Sequence, residues 1–128
     1  MSKKLKKYLS VLLATVLATG CLSAVVAFAD DSVALNEINF PDANFRAYLS
    51  ENVDTDGDGI LSVEERDNHP IISVANRGIT SLKGIEYFPN LKNLSCSKNP
   101  LNKLDVSTLT ELTSLTCMAD GLSELNLY

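Results

Sequence analysis

The sequence predicts an α+β chain in which a short helical cap, built around an acidic loop, leads into a right-handed solenoid of about three coils. Three observations carry this reading. Aspartates alternate between residues 54 and 58 and are followed by a spaced glutamate; leucines from residue 91 onward recur with a period of 21 residues; and a basic, then apolar, start sets residues 1–29 apart from the rest.

The start is taken first. Met1-Ser2-Lys3-Lys4-Leu5-Lys6-Lys7 precedes an apolar stretch from Tyr8 to Ala18, and Ala27-Phe28-Ala29 stands just before the acidic pair Asp30-Asp31. A basic head, an apolar middle and a small-x-small site make a secretory signal peptide over residues 1–29, cleaved after Ala29, and the switch to acidic sequence argues against a membrane-spanning helix. Leu17-Ala18-Thr19-Gly20-Cys21 also resembles a bacterial lipobox, which gives a second route, a lipid anchor at Cys21. Ala18 replaces the usual leucine there, and the apolar run Leu22 to Ala29 continues past the cysteine. Either route makes the chain secreted or extracellular at the cell surface, with no membrane span in the mature protein. The full chain carries a net charge of -5; loss of the four lysines of the signal segment leaves seven basic and sixteen acidic residues, or -9. That balance excludes nucleic acid as a partner.

Residues 30–70 form the expected cap. Phe40-Pro41-Asp42 opens a helix, with proline and an acid in its first turn, and Phe45, Tyr48, Leu49 and Val53 share one face. The segment Asp54-Thr55-Asp56-Gly57-Asp58-Gly59-Ile60-Leu61-Ser62-Val63-Glu64-Glu65 then fits D-x-[DN]-x-[DN]-G-x5-E at every constrained position, the calcium loop of an EF-hand. Alternate residues of a tight loop turn their oxygens inward, so Asp54, Asp56 and Asp58 converge on one hard cation. Ile60 offers its carbonyl, Ser62 acts through a water, Glu65 closes the shell with both carboxylate oxygens, and Gly59 supplies the bend. Ca2+ is the expected ion, because Mg2+ demands a stricter octahedron. The same residues also read as a metal-free acidic turn followed by an S-x-x-E capping box, Ser62 to Glu65, although three confined carboxylates repel one another without a cation. A second helix from about Val63 runs for some two turns before His69-Pro70 interrupts it. A lone hand has no partner hand, so its apolar face must pack against the first coil.

Residues 71–128 repeat. Leu91, Leu94, Cys96, Leu101, Leu104 and Val106 superimpose on Leu112, Leu115, Cys117, Leu122, Leu125 and Leu127, and Ile72-x-Val74 with Ile79-x-x-Leu82 makes an earlier copy. Leu91-x-x-Leu94-x-Cys96-x-x-Asn99-x-Leu101 matches the leucine-rich-repeat pattern with cysteine at one leucine place. Each coil holds two arms whose apolar residues point inward, and stacking buries one coil against the next. Asn99-Pro100 and the Ser/Thr-rich connections break helical runs. Cys96 and Cys117 therefore stand at equivalent inward places as small buried hydrophobes, with a disulfide as the alternative. Asn99 is expected to satisfy backbone groups at its turn. Asp120 keeps part of that role as an acceptor, whereas Arg77, the first-coil equivalent, does not.

Asn39-Phe40-Pro41-Asp42, Asn44-Phe45-Arg46-Ala47-Tyr48, the complete acidic loop, and Gly84-Ile85-Glu86-Tyr87 through Asn90-Leu91 together resemble the secreted leucine-rich-repeat proteins of Gram-positive bacteria, in particular the internalin-type surface proteins. The resemblance implies a solenoid closed by an EF-hand-like helical unit and a role in attachment or recognition at the cell surface. The chain departs from that pattern by stopping at Leu127-Tyr128, within a repeat, where such proteins carry many more coils. A truncated N-terminal fragment, or an accessory segment of a larger secreted enzyme, is the alternative reading. The leading expectation is a noncatalytic extracellular calcium-binding protein whose partner, an unknown protein or cell-surface ligand, meets the repeat face at Asn93, Ser95, Ser97, Ser114, Thr116 and Met118. No nucleophile elbow, H-E-x-x-H or phosphate loop occurs, and His69 beside Pro70 reads as a helix-end residue.

Overall fold

The computed structural model describes residues 31–118 and 121–127. The segment read as a signal peptide, with Ala29 and Cys21, and Asp120 of the last coil lie outside the described residues. Ser32–Tyr128 forms one compact unit.

Strand β1 (Val33–Ala34) precedes helix α1 (Ala43–Asn52), strand β2 (Ile60–Leu61) and helix α2 (Val63–Asp67). Asp42, in extended conformation, caps α1 by accepting from the Phe45 N-H, which satisfies one of the amides that the first turn leaves without a helical partner. α1 buries Phe45, Tyr48 and Leu49. α2 is shorter than two turns. It ends at Asp67, because Pro70 disfavours helical geometry in the residue before it, and the ring of His69 is 2.6 Å from the Glu65 carbonyl.

The repeats follow as β3 (Ile71–Ser73), a 3-10 turn at Ile85–Tyr87, β4 (Asn93–Ser95), β5 (Lys103–Asp105), β6 (Ser114–Thr116) and β7 (Glu124–Asn126). β3, β4 and β6 form a parallel three-stranded sheet, and β5 and β7 a parallel pair. The register places Ile72 beside Leu94 and Leu94 beside Leu115, and on the other arm Leu104 beside Leu125. This is the alignment of the repeated sequence. The shared spacing acts as the register signal, since a slip by one residue would send every leucine outward.

A single apolar core runs from Phe40, Phe45, Leu49 and Val53 through Ile72, Ile79, Phe88 and Leu91 to Leu101, Val106 and Leu109. Side-chain bonds tie α1 to the first repeat. Asp42 accepts from both the amide and the hydroxyl of Thr80, the Asn44 amide donates to the Gly78 carbonyl, and the Tyr48 hydroxyl accepts from Ser73 N-H. The Arg77 guanidinium stacks 4.9 Å over the Tyr48 ring. Through Tyr48, α1 thereby satisfies one backbone amide, that of Ser73, at the free edge of β3. Gly84 enters the 3-10 turn at φ 106, and a Cβ there would strike the Phe40 ring and the Asn39 carbonyl.

Candidate metal centre and repeat face

The loop between α1 and α2 gathers the three aspartates. One carboxylate oxygen from each of Asp54, Asp56 and Asp58 lies within 4.8 Å of the others, with Asp54 buried, Asp56 half-buried and Asp58 exposed. Loop amides hold the carboxylates in place: Asp54 accepts from Gly57, Asp58 and Gly59, and Asp58 accepts from Ile60 at 2.8 Å. Gly57 and Gly59 sit at φ 70 and 77, the left-handed region in which a side chain is strained. These bonds fix the orientation of the carboxylates within the loop.

Glu65 stands outside that cluster. One of its oxygens accepts from the amide and hydroxyl of Thr55, both at 2.8 Å, and the other from the amide and hydroxyl of Ser62 at 3.0 and 2.8 Å. Ser62 in turn caps α2 by accepting from Glu65 N-H, so the capping box is complete. Burial pushes the Glu65 carboxyl up, but the four donors of Ser62 and Thr55 outweigh it and hold it at about 2. Glu65 is therefore a charged clamp across the two ends of the loop.

Ile60 takes part in a pairing that the sequence reading did not foresee. β2 is antiparallel to β1, with Ala34 opposite Ile60 and Val33 opposite Leu61, and Leu35 N-H donates to the Gly59 carbonyl. The segment before the first helix thus supplies a strand partner for the loop. Its only sequence signal, Val33-Ala34-Leu35, is too short for any periodicity to register.

On the repeat face, Asn93, Ser114 and Met118 are exposed and Ser95 and Thr116 half-buried, but Ser97 is buried and its hydroxyl accepts from the Met118 amide. Ser97 is a structural link between repeats and no part of the surface. Ile71, aligned with Asn93 and Ser114 across the sheet and 57% exposed, adds an apolar side chain to that face. Asn99 is 2% exposed and holds two turns at once: its carbonyl oxygen accepts from the amides of Arg77 and Ile79, and its amide donates to the carbonyls of Val74 and Cys96. Cys96 is buried, with its sulfur 3.6 Å from the Thr116 carbonyl, and Cys117 is half-buried.

No family profile and no curated protein matches the chain. Solved structures do. Internalin F from Listeria monocytogenes superposes with a TM-score of 0.58 at 25% identity, over 74% of this chain and 32% of its own length. The functional domain of InlJ from the same species, which includes a cysteine ladder, gives 0.55 at 24% identity over 75% and 24% of the two chains. Internalin C2 gives 0.55 at 23% over 69% and 39%. The chain has an internalin-like leucine-rich-repeat fold, and it spans between a quarter and two-fifths of the length of these neighbours. No described helix is long and apolar enough to cross a membrane.

Proposed function

We propose that this chain is a noncatalytic, extracellular calcium-binding leucine-rich-repeat protein that recognises a protein ligand at the cell surface through its repeat face. The observation that carries the calcium half is the convergence of Asp54, Asp56 and Asp58 within 4.8 Å inside a loop pre-shaped by its own amides. Hard carboxylate oxygens in that density suit Ca2+, and like charges held so close are stabilised by a divalent ion. Those three residues would hold the ion, with the Ile60 carbonyl, Ser62 and Glu65 as the remaining expected ligands. Glu65 joins them only by giving up its bonds to Thr55 or Ser62. The binding half rests on the fold shared with surface internalins and on the mixed polar and apolar strip of Ile71, Asn93, Ser114 and Met118.

Calorimetric titration tests the metal. One Ca2+ per chain is expected, in the weak range of extracellular modules, about 0.1 to 1 mM. Asp54→Ala abolishes it. Glu65→Gln separates two roles: a ligand loses affinity without loss of stability in chelator, whereas a clamp alone loses stability in chelator and keeps the affinity. Absence of binding at several millimolar calcium returns the loop to an acidic turn.

A further inference from the structure

The acidic loop is not shaped by its own residues alone. β1 lies along it, and the bonding pattern fixes which way each peptide of β2 faces. Leu35 N-H donates to the Gly59 carbonyl at 2.9 Å, while Ala34 stands opposite Ile60 and Val33 opposite Leu61. Bonded and non-bonded positions alternate along an antiparallel pair, so the bond from Leu35 to Gly59 makes Ala34 and Ile60 the position that exchanges none. Both residues bond outward instead. The Ala34 carbonyl accepts from Asn36 N-H at 3.0 Å and from the Asn39 side-chain amide at 2.9 Å, and Ile60 N-H donates to Asp58 Oδ1 at 2.8 Å.

The amide and the carbonyl of one strand residue point to the same side, so the Ile60 carbonyl faces the aspartates as its N-H does. Were β1 to pair one residue further along, that carbonyl would be bonded to β1. Packing holds the register, because Val33 is 8% exposed and Leu61 fully buried in the shared core. Gly59 joins the strand to the acids directly. Its carbonyl takes the Leu35 N-H on one side, and its own N-H donates to Asp54 Oδ2 at 2.9 Å on the other, at a φ of 77 that glycine adopts without strain. Asp54, Asp58 and the Ile60 carbonyl, all expected ligands, thus take their orientation from backbone that β1 holds.

Resting on the calcium reading given above, we propose that β1 is a positioning strand of the metal centre: its docking aims the Ile60 carbonyl and the Gly59 peptide at the ion, and Ca2+ in the loop locks Val33, Ala34 and Leu35 in place. Two binding events that share one stretch of backbone are coupled equally in both directions. The factor by which docked β1 strengthens calcium binding is therefore the factor by which calcium strengthens the docking of β1. The segment ahead of α1 becomes the part of the chain whose order reports that the loop is loaded.

The test is calorimetric titration of the full chain with Ca2+, comparing Leu35→Pro with Leu35→Ala. Proline deletes the N-H that reaches Gly59 and keeps the preceding residue extended, whereas alanine removes the side chain and keeps the N-H. Leu35→Ala is expected to bind as the parent does and Leu35→Pro about tenfold more weakly, the share of one main-chain bond of ordinary strength. Should the proline variant fail to fold, hydrogen exchange in the unaltered chain makes the same measurement. Exchange of Leu35 N-H slows by about tenfold when chelator is replaced by saturating calcium, while Ser123 N-H, bonded to the Asn102 carbonyl in the last repeat and opening locally, keeps its rate. Equal affinities of the proline and alanine variants, or Leu35 exchange indifferent to calcium in a chain that binds it, overturns the proposal and leaves the metal site standing. A parent chain that binds no calcium overturns both.

Discussion

Asn99 shows how much a single side chain carries in a repeat fold. Replacing it with alanine strands the buried amides of Arg77 and Ile79 and the carbonyls of Val74 and Cys96 in two successive turns. An unmade buried bond costs about 1 to 3 kcal/mol, so Asn99→Ala is expected to destabilise by at least about 3 kcal/mol in urea denaturation. Asn99→Asp keeps the acceptor but loses the donors, and falls between. Glu65 sets an acid limit by a different route. Its carboxyl is held at about 2 against an ordinary 4.5, so its contribution is complete above 4.5 and disappears as pH falls toward 2. Thermal unfolding in chelator between pH 5 and 2 should show this loss, roughly 2 kcal/mol after allowance for solvent screening. Glu65→Gln should flatten that part of the curve. A variant as acid-sensitive as the parent would assign the loss to other carboxyls, of which Asp42, held low by Thr80 and Phe45 against its burial, is next.

At the scale of elements, α1 combines two tasks that an isolated helix would not perform. Its apolar face supplies Phe45 and Leu49 to the core, while Asp42, Asn44 and Tyr48 bond to the backbone of the first repeat. Tyr48→Phe deletes the acceptor for Ser73 N-H and leaves the ring under Arg77; the expected cost is about 1 kcal/mol, with faster hydrogen exchange at Ser73. The 3-10 turn is less forgiving. Gly84→Ala needs both a left-handed backbone and room inside the Phe40 ring, so it should destabilise by about 2 to 4 kcal/mol, and Phe40→Leu should restore part of that loss. Chemical denaturation of the two single variants and the double variant measures the coupling.

Across the whole molecule, burial fades toward the last repeat. Leu94 is 1% exposed while its neighbour Leu115 is half-buried; Leu104 is 3% exposed and Leu125 41%; Val106 is fully buried and Leu127 is 60% exposed. Each repeat is covered by its neighbours along the axis, and the last described repeat has a neighbour on one side, so stability should be graded along it. Leu94→Ala is expected to cost about 3 kcal/mol and Leu125→Ala under about 1, by denaturant unfolding. Because one core joins α1 to the repeats, a cation in the loop should stabilise all of it. At tenfold excess over its dissociation constant Ca2+ adds roughly 1.4 kcal/mol, so chelation should lower the melting temperature of the entire unit and Asp54→Ala should remove the difference. Equal melting curves despite measured binding would make the loop an independent appendage.

The sequence by itself determined the repeat register and the inward places of Leu94, Leu104, Cys96 and Asn99, because a strand's side chains alternate and a fixed spacing repeats that alternation in every coil. It also determined the cap Ser62, since a cap is a bond between residues two or three positions apart, whereas Asp42, expected inside the first turn of α1, stands just before it as the N-cap. What only the tertiary structure decided are contacts between segments distant in the chain. β1 pairs with the loop strand at Ile60, Thr55 shares the carboxylate of Glu65, and Ser97 turns inward to Met118 instead of facing outward. Asp42 reaches across to Thr80, and β5 keeps an open edge. No short-range pattern encodes these, because each depends on which backbone groups remain unpaired once the leucines have packed.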